Sequence, residues 1–252
     1  MSTATANVTQ EVFGSKTQID VMNRSTVLTD DHVSPVVAAL QRQVSEDFAA
    51  AWGVDADLYF VGLNGQADPT HWQLGIFDNS DQAGALGYHD LTAAGLPLGK
   101  VFAKDDISFG SQWSTTASHE LLEMLGDPDI DQVAFAQDTP TTGKLYAYEV
   151  CDPCEDDQFG YPIDGVLVSD FVLPGYFVNW QPSTRYDFQG KITSALTLLP
   201  GGYYSVFDVS NPSAGWVQVF GQNVPDHKRV VPQGSRRERR VRTRRSFKRS
   251  ER

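Results

Sequence analysis

The sequence predicts an α+β protein, on three observations. One stretch repeats apolar residues at helical spacing, a series of short apolar runs follows it, and a second helical stretch is inserted among those runs. Residues 1–17 are rich in Ser and Thr and read as a flexible lead. Ser34 followed by Pro35 reads as a helix start with Pro at the first position; Val37, Leu40, Val44, Phe48 and Ala51 then recur with helical period, and Gly53 stops the run. Leu58 to Gly62 and Trp72 to Phe77 read as strands bounded by turn chemistry at Asn64-Gly65, Asp68-Pro69 and Asp78-Asn79-Ser80. Leu86 to Leu91 and Gly99 to Ala103 continue the sheet until Phe109-Gly110 breaks it. A second helix runs from a cap at Ser111 or Ser114 to Leu125, with Gly126 and Pro128 ending it. Beyond it, Lys144 to Val150, Val166 to Leu173 and Tyr203 to Val209 are short strands, the segment 200–225 being a small hairpin appendage to a domain spanning 18–225. No solenoid-type repeat interrupts this plan.

A chain of 252 residues with 40% hydrophobic content builds a real core, which excludes a disordered chain. No stretch approaches the ~20 consecutive apolar residues of a bilayer span, and Met1 to Gln10 lack a basic and then apolar leader. No membrane partner is expected, and a reducing cytoplasm is the expected compartment. Cys151-Asp152-Pro153-Cys154 holds both cysteines, too few for a disulfide framework; the pair reads as structural or as one local disulfide.

The formal net charge of -12 conceals an uneven distribution. From His227 onward, 12 Lys/Arg stand against Glu238 and Glu251, while the preceding chain carries 8 Lys/Arg against 30 Asp/Glu. An acidic body repels nucleic acid, whereas the tail, 226–252, carries Arg236, Arg237, Arg239, Arg240, Arg242, Arg244 and Arg245, enough to neutralise several phosphates. The tail is expected to be disordered. It binds nucleic acid or another polyanion, or serves as a solubilising extension, or folds back on the acidic body.

The chemistry is concentrated on the second helix. At ~100° per residue, His119 and Glu123 share a face, Leu121, Met124 and Leu125 lie opposite, and Glu120 sits at the edge of the polar face. His119 and Glu123, one turn apart, can reach one ion, while Glu120 can touch a water beside it. That is the division of labour in H-E-x-x-H, here written His119-Glu120-Leu121-Leu122-Glu123.

The run Ser118 to Pro128, followed by Tyr148-Glu149-Val150-Cys151-Asp152-Pro153-Cys154-Glu155, Ile163-Asp164-Gly165-Val166 and Phe171-Val172-Leu173-Pro174, resembles zincin-like proteins of bacteria and their phages. The resemblance covers residues 34–180. It implies a zincin architecture: a backing helix, a twisted mixed sheet and an active-site helix under the sheet's edge. The helix motif points to a metal-dependent hydrolase, a metallopeptidase acting on peptide or protein substrates, with Glu120 as catalytic base. The alternative is a non-catalytic zincin-fold protein, phage- or virion-associated, with a structural metal and a polyanion-binding tail. The sequence departs from working peptidases at Glu123, which stands where the second histidine belongs, and no methionine follows Met124. A carboxylate there makes the ion a weaker Lewis acid. Zinc is the expected divalent metal, with manganese or calcium favoured by the oxygen-rich donor set. For the third ligand, Asp129 fits one zincin spacing and Glu149 another; Glu149 is preferred, with Asp127 or Asp152 orienting His119.

Overall fold

The computed structural model describes residues 16–82, 85–178 and 183–224. The lead up to residue 15 and the basic tail, including all seven arginines named above, lie outside the described residues. Strand β1 (Thr17–Asn23) opens the fold. Helix α1 (Asp30–Arg42) continues through a π-helical stretch (Gln43–Phe48) into α2 (Ala49–Trp52), closed by Gly53 in the left-handed region at φ 70°. The stop at Gly53 is therefore as the sequence predicts, but the start is not. The helix begins four residues before Ser34 because Thr29 and His32 form a reciprocal cap, and Pro35 lies inside the helix.

Strands β2 (Ala56–Val61), β3 (Trp72–Phe77), β4 (Gly87–Leu91) and β5 (Pro97–Phe102) join β1 in a mixed sheet of order β2-β1-β3-β5-β4. Every pairing in it is parallel except β4 with β5. A short helix α3 (Ala103–Phe109) follows, then α4 (Trp113–Gly126). Neither Ser111 nor Ser114 caps α4: Gln112 occupies the cap, and the Ser114 hydroxyl instead donates to the Leu167 carbonyl at 2.7 Å.

Downstream, β6 (Val133–Thr139) and β7 (Thr142–Ala147) form a hairpin, and β8 (Tyr161–Ile163) pairs with β9 (Val166–Val168). The predicted strand 144–150 thus ends at Ala147, and 166–173 ends at Val168. Their remaining residues are recruited by single contacts, Val172 N–H donating to the Val150 carbonyl at 2.7 Å. Finally β10 (Tyr203–Asp208) and β11 (Trp216–Phe220) pair with each other, and β10 adds to β7, giving a second sheet of order β11-β10-β7-β6. Among the described residues no helix is long and apolar enough to cross a membrane.

One core cluster ties the elements together. It includes Ile19, Val21, Leu74, Ile76 and Val101 from the first sheet, Val37, Leu40, Val44 and Phe48 from the long helix, and Leu121, Leu122 and Met124 from α4. The two helices are also bonded to each other. Buried Gln43 accepts from the Ser118 hydroxyl at 2.6 Å and donates to the Ser169 carbonyl at 2.8 Å, while Ser169 N–H donates to Ser118 Oγ at 3.0 Å. This closed exchange satisfies polar groups in the core and fixes the rotation of α4 about its axis.

Asp170 and Asp187, both almost fully buried, hold the segment after β9 against the loop 187–192. Asp170 accepts from the N–H groups of Phe171 and Gln189, and Asp187 from those of Lys191 and Ile192. Burial, and then the neighbouring Asp187 carboxyl, push the Asp170 pKa up to about 8, so Asp170 holds a proton at neutral pH. The unfolded chain releases that proton near ~4, so stability falls as pH rises from there through about 8. We expect Asp170→Asn, which keeps a donor facing Asp187 at every pH, to lose less thermal stability than wild type between pH 6 and 9. Parallel melting curves would show the pair to be irrelevant.

Candidate metal centre

Strand β4 and helix α4 meet at a contact that Gly87 allows. Side chains of a strand alternate, so Gly87 and His89 face the same way, toward α4, and His89 is paired across the ladder with Gly99. A Cβ at Gly87 would lie 2.6 Å from Glu120 Oε1 and 2.8 Å from Thr116 Cγ2, whereas one at Gly99 would lie 2.6 Å from Leu74 Cδ1 of the neighbouring strand and in ordinary contact, 3.7 Å, with Glu120 Cβ. The absent side chain at Gly87 lets the helix approach, and Glu120 fills the space. Gly87→Ala should therefore displace Glu120 and cost about 1–3 kcal/mol by overpacking. Chemical denaturation measures the cost; an unchanged midpoint would mean that the helix yields freely.

On this contact the structure gathers six residues, each between 2% and 8% exposed: His89, His119, Glu120, Glu123, Glu149 and Asp152. Their histidine-carboxylate separations are alike. His89 Nδ1 is 3.5 Å from Glu123 Oε2 and 3.6 Å from Glu120 Oε2, and His89 Nε2 is 3.6 Å from Glu149 Oε2. His119 Nε2 is 3.4 Å from Glu123 Oε2 and 3.2 Å from Asp152 Oδ1. Most of these exceed a normal hydrogen bond. Those from Glu123 Oε2 to His89 Nδ1 and to His119 Nε2, and from His119 Nε2 to Asp152 Oδ1, match the edge between two ligands of one cation, about 3.4 Å for bonds of ~2.1 Å in a tetrahedron, while Glu149 stands at the other ring nitrogen of His89.

The electrostatics point the same way. Four carboxylates share this volume with two imidazoles, so the cluster remains negative even with both rings protonated. In the protein by itself, burial works against a charged His119, but Glu123, Asp152 and Glu120 outweigh it and hold its pKa well above the usual histidine value. Burial first, and then Glu123, raise Asp152 to about 7. Burial, reinforced by Asp152, Glu155, Glu123 and Glu149, likewise holds the Tyr203 phenol of β10 protonated beside the cluster. Protons are retained where a divalent cation would do better, and the donor set of imidazoles and carboxylates fits such an ion.

Two groups of three can each hold an ion, their ligand atoms all within 4.8 Å of one another. These are His89, Glu123 and Glu149, and His119, Glu123 and Asp152. The expected trio of His119, Glu123 and Glu149 is thus divided, with Glu123 common to both halves. Glu149 lies just beyond β7 and is brought to His89. Asp152 is the carboxylate that meets His119, at the ring nitrogen an ion would use. Asp127 sits at the end of α4, where its Oδ1 accepts from the N–H groups of Asp131 and Gln132. Asp129 is exposed, its side chain placed in neither group.

Glu123 is held from behind, its Oε1 accepting from the N–H groups of both Cys151 and Asp152 at 3.2 Å. Those donors open the short 3-10 turn Asp152–Cys154, an arrangement suited to a carboxylate. The cysteines of this turn are free and buried rather than bridged, and burial pushes both thiols well up. Cys151 and Cys154 are structural in this setting. Sequence reasoning missed His89. Its one signal was position, two residues after Gly87 in a predicted strand, on the face a period of two would assign to the interior.

No family model, curated protein or solved structure matches this chain.

Proposed function

We propose that the protein is a metal-dependent hydrolase of zincin type, with peptide bonds as substrate. The observation that carries the reading is the set of five histidine-carboxylate separations of 3.2–3.6 Å around Glu123, with Glu120 adjoining it. A mixed sheet with an antiparallel edge strand over an H-E-bearing helix supports the zincin architecture. His119, Glu123 and Asp152, with His89 and Glu149 on the other side of Glu123, would hold the metal; zinc suits the imidazoles, and manganese the carboxylates. When bound, a divalent cation supplies Lewis acidity toward a carbonyl and acidifies a neighbouring water.

Glu120 then has the proton-transfer role. Its carboxylate takes a proton from the attacking water and delivers it to the amine as the C–N bond breaks, so the base is regenerated with each turnover. The direct test is cleavage of casein and of a mixed peptide library by metal-loaded and chelated protein, followed by mass spectrometry. Chelator-sensitive cleavage supports the reading, and the absence of new termini with zinc or manganese would overturn it.

The depth of the cluster favours a second reading. Six buried residues suit an ion that holds the fold together, in a non-catalytic protein whose basic tail docks on nucleic acid or another polyanion. On that reading the full chain binds DNA with steep salt dependence, a chain ending at Pro225 does not, and no metal supports cleavage.

A further inference from the structure

We propose that the cluster is a two-cation centre in which Glu123 is the bridging ligand. The inference shares the metal with the hydrolase reading and is independent of hydrolysis.

The geometry carries it. An ion with bonds of ~2.1 Å spans at most about 4.2 Å between two ligand atoms. The five side chains His89, His119, Glu123, Glu149 and Asp152 do not form one group within even 4.8 Å; they form two, each with one imidazole and one private carboxylate. One ion therefore cannot touch all five as they stand. What the groups share is a single atom: Glu123 Oε2 lies 3.5 Å from His89 Nδ1 and 3.4 Å from His119 Nε2. Its partner Oε1 is occupied by two backbone N–H groups, which aim the bridging oxygen between the two rings.

Charge leads to the same number. With neutral imidazoles, the carboxylates of Glu120, Glu123, Glu149 and Asp152 sum to four negative charges, all buried. One divalent cation leaves two of them uncompensated, whereas two divalent cations neutralise the set without a proton on either histidine. The arrangement also explains a carboxylate at position 123. A neutral imidazole there offers one lone pair to one ion, whereas a single carboxylate oxygen can bind two.

The test is stoichiometric. The full chain is stripped with EDTA and titrated with Zn²⁺ and separately Mn²⁺ by calorimetry, with elemental analysis after desalting. Two ions per chain are expected for wild type. His89→Ala and Asp152→Asn should each retain one, and Glu123→Gln should weaken both by at least tenfold. The Mn²⁺-loaded wild type needs no variant to fold: adjacent bridged ions give an exchange-coupled electron paramagnetic spectrum, and an isolated ion gives six lines. Saturation at one ion per chain with a six-line spectrum, or no binding of either metal, overturns the proposal. Two bound ions without peptide cleavage would uphold it and sink the hydrolase reading; cleavage with one ion would do the reverse.

Discussion

Replacing Glu120 by glutamine is expected to leave the fold and the metal content intact while lowering peptide hydrolysis by about 10²–10⁴-fold. The amide has the size of the carboxylate and fits the same space beside Gly87, so the contact between β4 and α4 is preserved. What it loses is the ability to accept a proton from water. Glu120 is in neither of the two ion-holding groups, so ion content separates its role from that of a ligand. The decisive comparison is turnover against bound metal in the two proteins. Equal nonzero rates would remove Glu120 from the proton-transfer role, and parallel loss of metal and rate would make it a ligand.

Stripping the metal is expected to lower the melting temperature by about 8–16 °C for each tightly held ion. At a free-ion concentration a thousand times the dissociation constant, linkage contributes about 4 kcal/mol, and each kcal/mol moves a domain of this size by ~2–4 °C. The loss should depend on pH in a defined direction. In stripped protein, folding retains a proton on Asp152 up to about 7 and one on His119 to well above its ordinary range. The unfolded chain has released the first by ~4 and the second by ~6.5. Both terms therefore disappear from stability as pH rises, while ion binding, which competes with the same protons, strengthens. The gap between loaded and stripped melting temperatures should widen from pH 6 to pH 8. Asp170 contributes equally to both forms and cancels from the difference. Scanning calorimetry of the two forms at both pH values measures it, and a constant or narrowing gap would contradict the assignment of His119 and Asp152 as ligands.

The same contacts revise an expectation that the helix motif alone invites, namely that a histidine at position 123 would complete a stronger zinc site. Glu123 uses one oxygen to accept two backbone N–H groups and the other to face both histidines. An imidazole would leave those donors unsatisfied in the core, so Glu123→His is expected to weaken metal binding.

Much of the local structure was legible from the chain because it depends on neighbours in sequence. The apolar period from Val37 to Ala51, the stop at Gly53, the strand at Trp72–Phe77 and the helix bearing His119, Glu120 and Glu123 follow from spacing and turn chemistry. Where local signals compete, sequence pattern was weaker: Ser34-Pro35 looked like a helix start, but the cap residue Thr29, paired reciprocally with His32, lies five residues before Ser34. The donor types of the site were legible too, since a helix at ~100° per residue puts positions four apart on one face whatever surrounds it. Which other residues complete the site was decided only in three dimensions. His89 is 30 positions before His119, and its strand shows only that it faces one side of the sheet. The antiparallel pairing of β4 on β5, and the approach of α4 allowed by Gly87, bring that side onto Glu120 and Glu123. The choice of Asp152 rather than Asp127 beside His119 was likewise tertiary: its position depends on the 3-10 turn that docks on Glu123, a contact between segments 29 residues apart. Local periodicity fixes which way a side chain points from its own element, but the partner it meets depends on the packing of elements that share no sequence neighbourhood.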